Sequence, residues 1–321
     1  MTDYSINPEE YEMVKEYFRN DTLKINYRRP GNFIKIDNQL YYIKDNMNLL
    51  ETYLHRAISL IGKKIGIETL DYVPIKTNNG QYICVSKDFV GNKNDLSKKL
   101  DDKYNEKYYP TIYEDFKATY YALKEIEDEY NSYGIASTYL KQILFSVFNY
   151  DCDKRGLDSN VKVLESNSVL TLNPLFDFNL LSFHNTIAWD NASSDIYFDK
   201  DDAKKAIEEY ALEGESLTYE DIENDRVMYL KKLIKDYVEK PVFSEYSDVE
   251  TINFCINNIE DKTLLDKILN LDIEEVLNED FVEFNDQITN TLTILFTAKK
   301  EQIKRQLLET RTSSETKLIV A

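Results

Sequence analysis

Apolar residues recur along this chain with two different periods, and each change of period marks a boundary. Asn7-Pro8-Glu9-Glu10 predicts a helix start, with Asn7 as the cap, Pro8 in the first turn and two acids at the dipole's positive end. Tyr11, Val14 and Phe18 then share one face. From Leu23 the spacing shortens to β-like pieces, "KINYRR", "NFIKID" and "QLYYIKD", separated by turns at Pro30-Gly31-Asn32 and Asp37-Asn38. A helical stripe of Leu50, Leu54, Ala57 and Ile61 runs from about Asn48 to Lys64, and Gly66 ends it. "DYVPIKT", Asn79-Gly80 and "QYICVSKDF" read as another hairpin.

Beyond Gly91 the period is mainly helical, in "TIYEDFKATYYALKEIEDEY" and "ASTYLKQILFSVFNY". Two β-like pieces, "VKVLE" and "VLTLNPLF", interrupt it, and helices are expected again at 201–213, 218–239, 247–259, 262–278 and 280–310. The plan is α+β: an N-terminal helix (1–21), a small β-rich lobe with one helix (22–90), and a larger helical lobe (91–311) that holds a β-hairpin. A Ser/Thr-rich flexible tail (312–321) follows, and the linker between lobes falls near 86–92.

Composition narrows the partners. The net charge is −19 over 321 residues, with no basic half to offset it. Such a surface repels phosphate backbones and anionic headgroups, so no direct nucleic acid and no membrane partner is expected. Cys84, Cys152 and Cys255 are too few and too scattered for a disulfide framework or a zinc site, and His55 and His184 read as packing or surface residues. No apolar run approaches the roughly 20 residues of a membrane span. A cytoplasmic location follows, with export as an effector left open.

Polar residues at four places then ask for a chemical reason. Lys44 ends a strand, and Glu51 lies in the first turn of the next helix. The segment "NYDCDKRGLDSN" holds Asp151, Asp153, Asp158 and Asn160, and Asp177 stands inside the apolar run "LNPLFDFNLL". An uncompensated carboxylate there would cost several kcal/mol, roughly, so a capping amide, an arginine or a metal ion must answer it. The order matches the parts of phosphoryl transfer: a strand lysine for phosphates held by a helix glutamate, a loop aspartate for the attacking hydroxyl, and an asparagine and a later aspartate for metal ions. Taken singly, each residue has a plainer reading. Lys44 would be a solvated strand end, Glu51 a dipole partner, the 151–160 segment a surface loop and Asp177 a structural cap. Their joint order on the expected elements favours the functional one.

The chain resembles the HipA-like serine/threonine kinases, particularly the compact CtkA-type members. "YYIKD" resembles their lysine strand and "LLETYLHRAISLIGKKIGIETLDYV" their glutamate-bearing helix with its following strand. "YICVSKDF" resembles their hinge, and "NPLFDFN" their metal-binding motif "aPifDfG", with Asn179 in place of the glycine. The similarity spans roughly residues 22–185. It implies a bilobal protein-kinase-like fold and an ATP- and Mg²⁺-dependent kinase that phosphorylates a protein substrate, which could be itself. Lys44 would hold the α/β-phosphates, Glu51 would fix Lys44, Asp153 would orient the hydroxyl, and Asn160 and Asp177 would bind metal. Lys87, Asp88 and Phe89 would face adenine, and the turn at Gly31 and Asn32 would cradle phosphate with its backbone amides. A small antitoxin-like partner is a further implication.

Departures from the family pattern concern the loop. Asp153-Lys154-Arg155 carries no histidine, and Asn160 falls two residues late, so Asp151 or Asp158 could be the counterpart of the family's aspartate. An alternative is therefore a catalytically impaired kinase-fold module acting as inhibitor, antitoxin-like partner or scaffold. A purely helical interaction protein would leave the β-rich segments unexplained.

Overall fold

A computed structural model describes residues 4–20, 32–47, 49–107, 116–151, 160–176, 178, 205, 241–243, 246–284 and 286–319. The chain divides into two compact units. One comprises Met1–Ile143, Asp153–Phe178 and Glu275–Phe284, and the other Leu144–Cys152, Asn179–Glu274 and Asn285–Ala321. The architecture is α+β, with a small antiparallel sheet in the N-terminal part and helices in the C-terminal part.

In the first unit, helix α1 (Pro8–Asn20) begins where the cap predicts, and Asn7 Oδ1 accepts the Glu10 amide at 2.8 Å. Strands β1 (Asn32–Ile36), β2 (Gln39–Met47), β3 (Val73–Lys76) and β4 (Tyr82–Lys87) form one antiparallel sheet in the order β1-β2-β4-β3. Asp37 and Asn38, both at positive φ, make the β1–β2 turn, as hairpin twist requires. Helix α2 (Leu49–Lys64) follows β2 directly.

Strand alternation sorts the sheet's side chains into two faces. Ile36, Tyr41, Ile43, Val73, Ile75, Ile83 and Val85 form one core with Tyr11, Val14 and Phe18 of α1 and Val282. Tyr42 and Lys44 of β2 therefore belong to the opposite face, with their register partners Ser86 and Cys84. That face meets α2, since the Cys84 thiol lies 3.1 Å from the Thr52 carbonyl oxygen.

Arg56, buried in α2, forks onto Asp280 through Nε and Nη2 at 3.2 and 3.1 Å, and its Nη1 lies 3.2 Å from Asp71. Asp71 also accepts the Ile6 amide at 2.7 Å and Lys63 Nζ at 2.5 Å. One guanidinium thus fixes α2 against the approach to β3, the start of the chain and the 275–284 stretch.

The same unit contains β5 (Asn94–Asp95), α3 (Ser97–Lys107), α4 (Phe116–Tyr130) and the first part of α5 (Ile135–Asn149). Buried Glu127 accepts the Gly134 and Ala136 amides at 2.6 and 3.0 Å, supplying from α4 the acceptors that the start of α5 lacks. Strands β6 (Val163–Ser166) and β7 (Val169–Leu172) form the expected hairpin around Asn167 and Ser168.

The first unit runs past residue 90, where a boundary was expected. Strand β5 pairs with β6, and Thr69 bridges Leu175 in parallel, so the chain after residue 90 and the hairpin both join the N-terminal unit.

In the second unit, α6 (Asp248–Asn258) carries a capping box between Ser247 and Glu250, and α9 (Asp286–Ile319) runs along it. Lys299 is fully buried and paired with Asp248, and desolvation holds its ammonium below the usual lysine range. Phe296 meets the rings of Phe145 and Phe148 at 6.3 and 6.1 Å.

Two helical expectations change. The single helix at 262–278 is two, α7 (Leu264–Leu269) and α8 (Ile273–Asn278). The break falls at Asn270, whose amide closes back on Asp266 as a C-cap. Helix α9 starts at Asp286 rather than 280 and continues through Ile319, where a flexible tail was expected. No Gly or Pro interrupts "ETRTSSETKLI", so nothing stops a long helix from propagating through it. The expected strand 24–29 and helices 201–213 and 218–239 lie outside the described residues, apart from Lys205. Among the described residues no helix is long and apolar enough to cross a membrane.

The Arg56 cluster sets a first expectation. Arg56→Met leaves the Asp280 carboxylate without its cation and Asp71 with Lys63 alone, and lowers stability by roughly 3–5 kcal/mol. Lys64→Ala, which breaks the exposed pair with Glu279, barely moves the urea midpoint. Equal midpoints for the two variants would refute the central role of Arg56.

Candidate functional site

Lys44 lies on the sheet face turned to α2, and the β2 register shifts immediately after it, between Lys44 and Met47. Such an irregularity re-aims the last regular side chain of a strand. The half-buried Lys44 Nζ lies 3.0 Å from Nε2 of His55, two turns into α2. Glu51 sits in the first turn of the same helix, four residues before His55 and so on the same side.

The buried Cys84 thiol feels the charges of both Lys44 and Glu51. Burial pushes its thiol well above the usual range, while the Lys44 charge lowers it and the Glu51 charge raises it. A cation and an anion from adjacent elements thus act on one buried atom. Two further features of this face gave no signal in the sequence. Ser86 is fully buried, and its hydroxyl has no partner among the described residues. Phe33, about half exposed, meets the Tyr42 ring at 5.5 Å.

The expected hinge residues separate. Lys87 pairs with Tyr41 in register and so lies on the α1 face, opposite Lys44. Its ammonium reaches Glu10 at 2.7 Å and the Ser5 carbonyl at 2.6 Å. The Lys87 side chain is therefore spent on α1. Asp88 caps the following turn by accepting the Val90 and Gly91 amides at 3.2 and 2.9 Å. Phe89 packs on Phe176 with ring centroids 4.9 Å apart.

Asp177 itself lies outside the described residues, but its neighbours are fixed on both sides. Leu175 exchanges backbone hydrogen bonds with Leu70 and Glu68, each 2.8 Å. Phe176 packs on Phe89, and Phe178 packs on His55 and Tyr72 at 5.7 and 6.1 Å. Asn173, four residues earlier and absent from the sequence-based candidates, is buried with every polar group engaged. Its Oδ1 accepts the Lys162 amide, and its Nδ2 donates to the carbonyls of Asn160 and Pro174 at 3.2 and 2.8 Å. Gln142 of α5 donates to the Asn173 carbonyl at 2.9 Å. One amide thereby fixes Asn160, the expected metal ligand, to the chain leading to Asp177. A polar residue immediately before proline inside an apolar run was the available signal.

Asp153, Asp158 and Gly31 lie outside the described residues, as does the side chain of Asn32. Asp151 does not, and it corrects an expectation. It reads as a solvated loop carboxylate from sequence, yet it is fully buried. Its amide donates to the Ser146 carbonyl and to Asn149 Oδ1, both at 3.1 Å. Tyr150 before it holds a left-handed φ of 59°, a strained setting for a bulky side chain. His55 joins packing to a polar contact, although sequence offered it only packing. Among the described residues no group of three or more His, Cys, Asp or Glu is placed to hold a metal.

No family model matches the chain, and no curated protein matches it by sequence. Among solved structures it is similar to the Helicobacter pylori proinflammatory kinase CtkA, with 10% identity and a TM-score of 0.48, over 87% of this chain and 95% of that one. It is also similar to a chain of the Shewanella oneidensis toxin–antitoxin complex of HipA, HipB and operator DNA. There the identity is 11% and the TM-score 0.42, over 93% of this chain and 73% of that one. At these identities and scores neither likeness carries an activity over to this chain.

The setting of Cys84 yields a second expectation. A thiol held protonated by burial stays unmodified by iodoacetamide at pH 8 in the native protein, and reacts once urea unfolds it. Rapid native alkylation of the Cys84 peptide would show that the Lys44 face of the sheet is open at this depth.

Proposed function

We propose that this chain is a HipA-like serine/threonine protein kinase, transferring the γ-phosphate of Mg²⁺-ATP to a protein hydroxyl, with autophosphorylation as one outlet. The observation that carries the reading is the placement of Lys44 on the sheet face turned to α2, the helix whose first turn bears Glu51. Lys44 supplies the point charge for the α/β-phosphates, and Glu51 is the carboxylate of the same face. The backbone at Lys87–Phe89 meets the base, and the amides of the Gly31–Asn32 turn cradle phosphate.

The donor set for a metal fits Mg²⁺, because Asn160 and Asp177 offer hard amide and carboxylate oxygens. Asn160 is buried with its main chain tied down by Asn173, which suits a fixed ligand. When bound, Mg²⁺ neutralises charge on the phosphates. Asp153 orients the acceptor hydroxyl, with Asp151 or Asp158 as the alternative. The acidic surface favours a protein partner over nucleic acid, and a small antitoxin-like partner belongs to this proposal.

A second reading, a kinase-fold module that binds nucleotide without turnover, is favoured by one observation. The loop reads Asp153-Lys154-Arg155 without a histidine and places Asn160 two residues late.

Binding comes first in the tests. Mg²⁺-ATP raises the melting temperature, and ATP with excess chelator raises it much less, because Asn160 and Asp177 reach the nucleotide through the metal. Equal stabilisation with and without metal would remove both residues from that role.

Turnover then separates the aspartates. Asp153→Ala lowers phosphotransfer by about 10²-fold or more with nearly unchanged ATP affinity, whereas Lys44→Ala weakens binding as well. Asp151→Ala moves stability as well as turnover, since its carboxylate is buried and the change alters the packing of that turn. An Asp153→Ala enzyme with full turnover moves the role to Asp151 or Asp158. A wild type that binds Mg²⁺-ATP and transfers nothing establishes the module.

A further inference from the structure

Among the buried titratable groups, His55 is the one that touches the candidate lysine and the candidate metal segment at once. Its ring is fully buried, stacked on Tyr72 with centroids 5.0 Å apart and planes 25° apart, and tilted against Phe178 at 5.7 Å. Ser59 Oγ donates to the His55 carbonyl at 2.9 Å and to the Leu70 carbonyl at 2.6 Å, which ties this turn of α2 to the chain before β3. Packing on two sides and a fixed backbone therefore set where Nε2 points. Lys44 Nζ lies 3.0 Å from it. An ammonium has donors only, so the contact calls for the tautomer in which Nε2 accepts and Nδ1 carries the ring proton.

We propose that His55 is a positioning residue for Lys44: neutral Nε2 accepts the ammonium, and the ring's contact with Phe178 links that lysine to the segment carrying Asp177. The inference rests on the phosphate-binding role of Lys44 given above. It adds that the lysine is aimed by a ring as well as by a carboxylate, and that the ring is shared with the residue after Asp177. A carboxylate attracts an ammonium from many directions. A ring nitrogen accepts along one axis, so it contributes direction where Glu51 contributes charge. Displacing Phe178 would rotate the acceptor, so the lysine and the metal segment would shift together.

Two substitutions separate acceptor from packing. His55→Leu fills much of the volume and cannot accept, whereas His55→Gln places an amide oxygen near the position of Nε2. The first readout is the rate at which an amine-selective ester acylates Lys44, followed by peptide mass at fixed pH without nucleotide. The rate rises several-fold in H55L and returns towards the wild-type value in H55Q. The second is Mg²⁺-ATP affinity, weakened about tenfold in H55L, near wild type in H55Q, and unchanged by H55L in a Lys44→Ala background.

Equal Lys44 acylation in the wild type and H55L overturns the proposal, and so does a loss that H55Q fails to restore, which would mark packing alone. Should H55L not fold, H55Q with wild-type acylation supports the acceptor role, and H55Q with raised acylation overturns it. A wild type that binds no Mg²⁺-ATP refutes the kinase reading, while the acylation rates still decide the pairing.

Discussion

The buried guanidinium of Arg56 holds helix α2 in place, and the candidate site is referred to that helix. Asp280 takes a two-pronged hydrogen bond from it and Asp71 takes its remaining edge. Desolvating three charges is costly, and their mutual attraction offsets that cost only while all three are present. Such a cluster adds little net stability over an apolar core but tolerates few alternative arrangements. With α2 fixed, Glu51, His55 and Ser59 project from one rigid element, and Lys44 on the neighbouring strand has a defined surface to meet.

The stretch before Asp177 is held by a different kind of interaction. The Asn173 side chain satisfies three backbone groups and its carbonyl accepts the Gln142 side-chain amide, and Thr69 and Leu175 form a parallel bridge of two residues. Neither feature buries much apolar area. Both remove freedom from a segment whose neighbours, Phe176 and Phe178, pack on Phe89 and His55. Helix α1 has its own claim on this unit, since Glu10 takes both the Tyr41 hydroxyl and the Lys87 ammonium. The α1 face of the sheet is thereby closed by charge as well as by core, and the Lys44 face is turned to α2.

Elements with a strong period were legible: α1 from its cap, α2 from its stripe, β1–β2 and β6–β7 from their turns. Glu51 in the first helical turn followed from the same patterns, whereas Lys44, expected at a strand end, lies inside β2 just before its register shift. Strand β5 was not legible, because two exposed polar residues have no period to read. Its existence depends on a partner some 70 residues away. Asp151 was misread because local composition cannot tell a surface loop from a buried turn; the acceptors that bury it come from the preceding helix. Lys87 was legible as a charge near the hinge but not as to its face, which depends on the register with Tyr41. His55 offered no sequence signal for its polar contact, since the bend after Lys44 and the pitch of α2 meet only in three dimensions.

Arg56 and Asp280 are separated by 224 positions in the chain. A ribosome adding roughly 5–20 residues per second needs about 10–45 s to cover that interval. Throughout it the N-terminal sheet and α2 exist with Asp71 but without the second carboxylate, and without Val282 in their core. Emergence of the 275–284 stretch is therefore the event that completes the first unit, after most of the second has already been made.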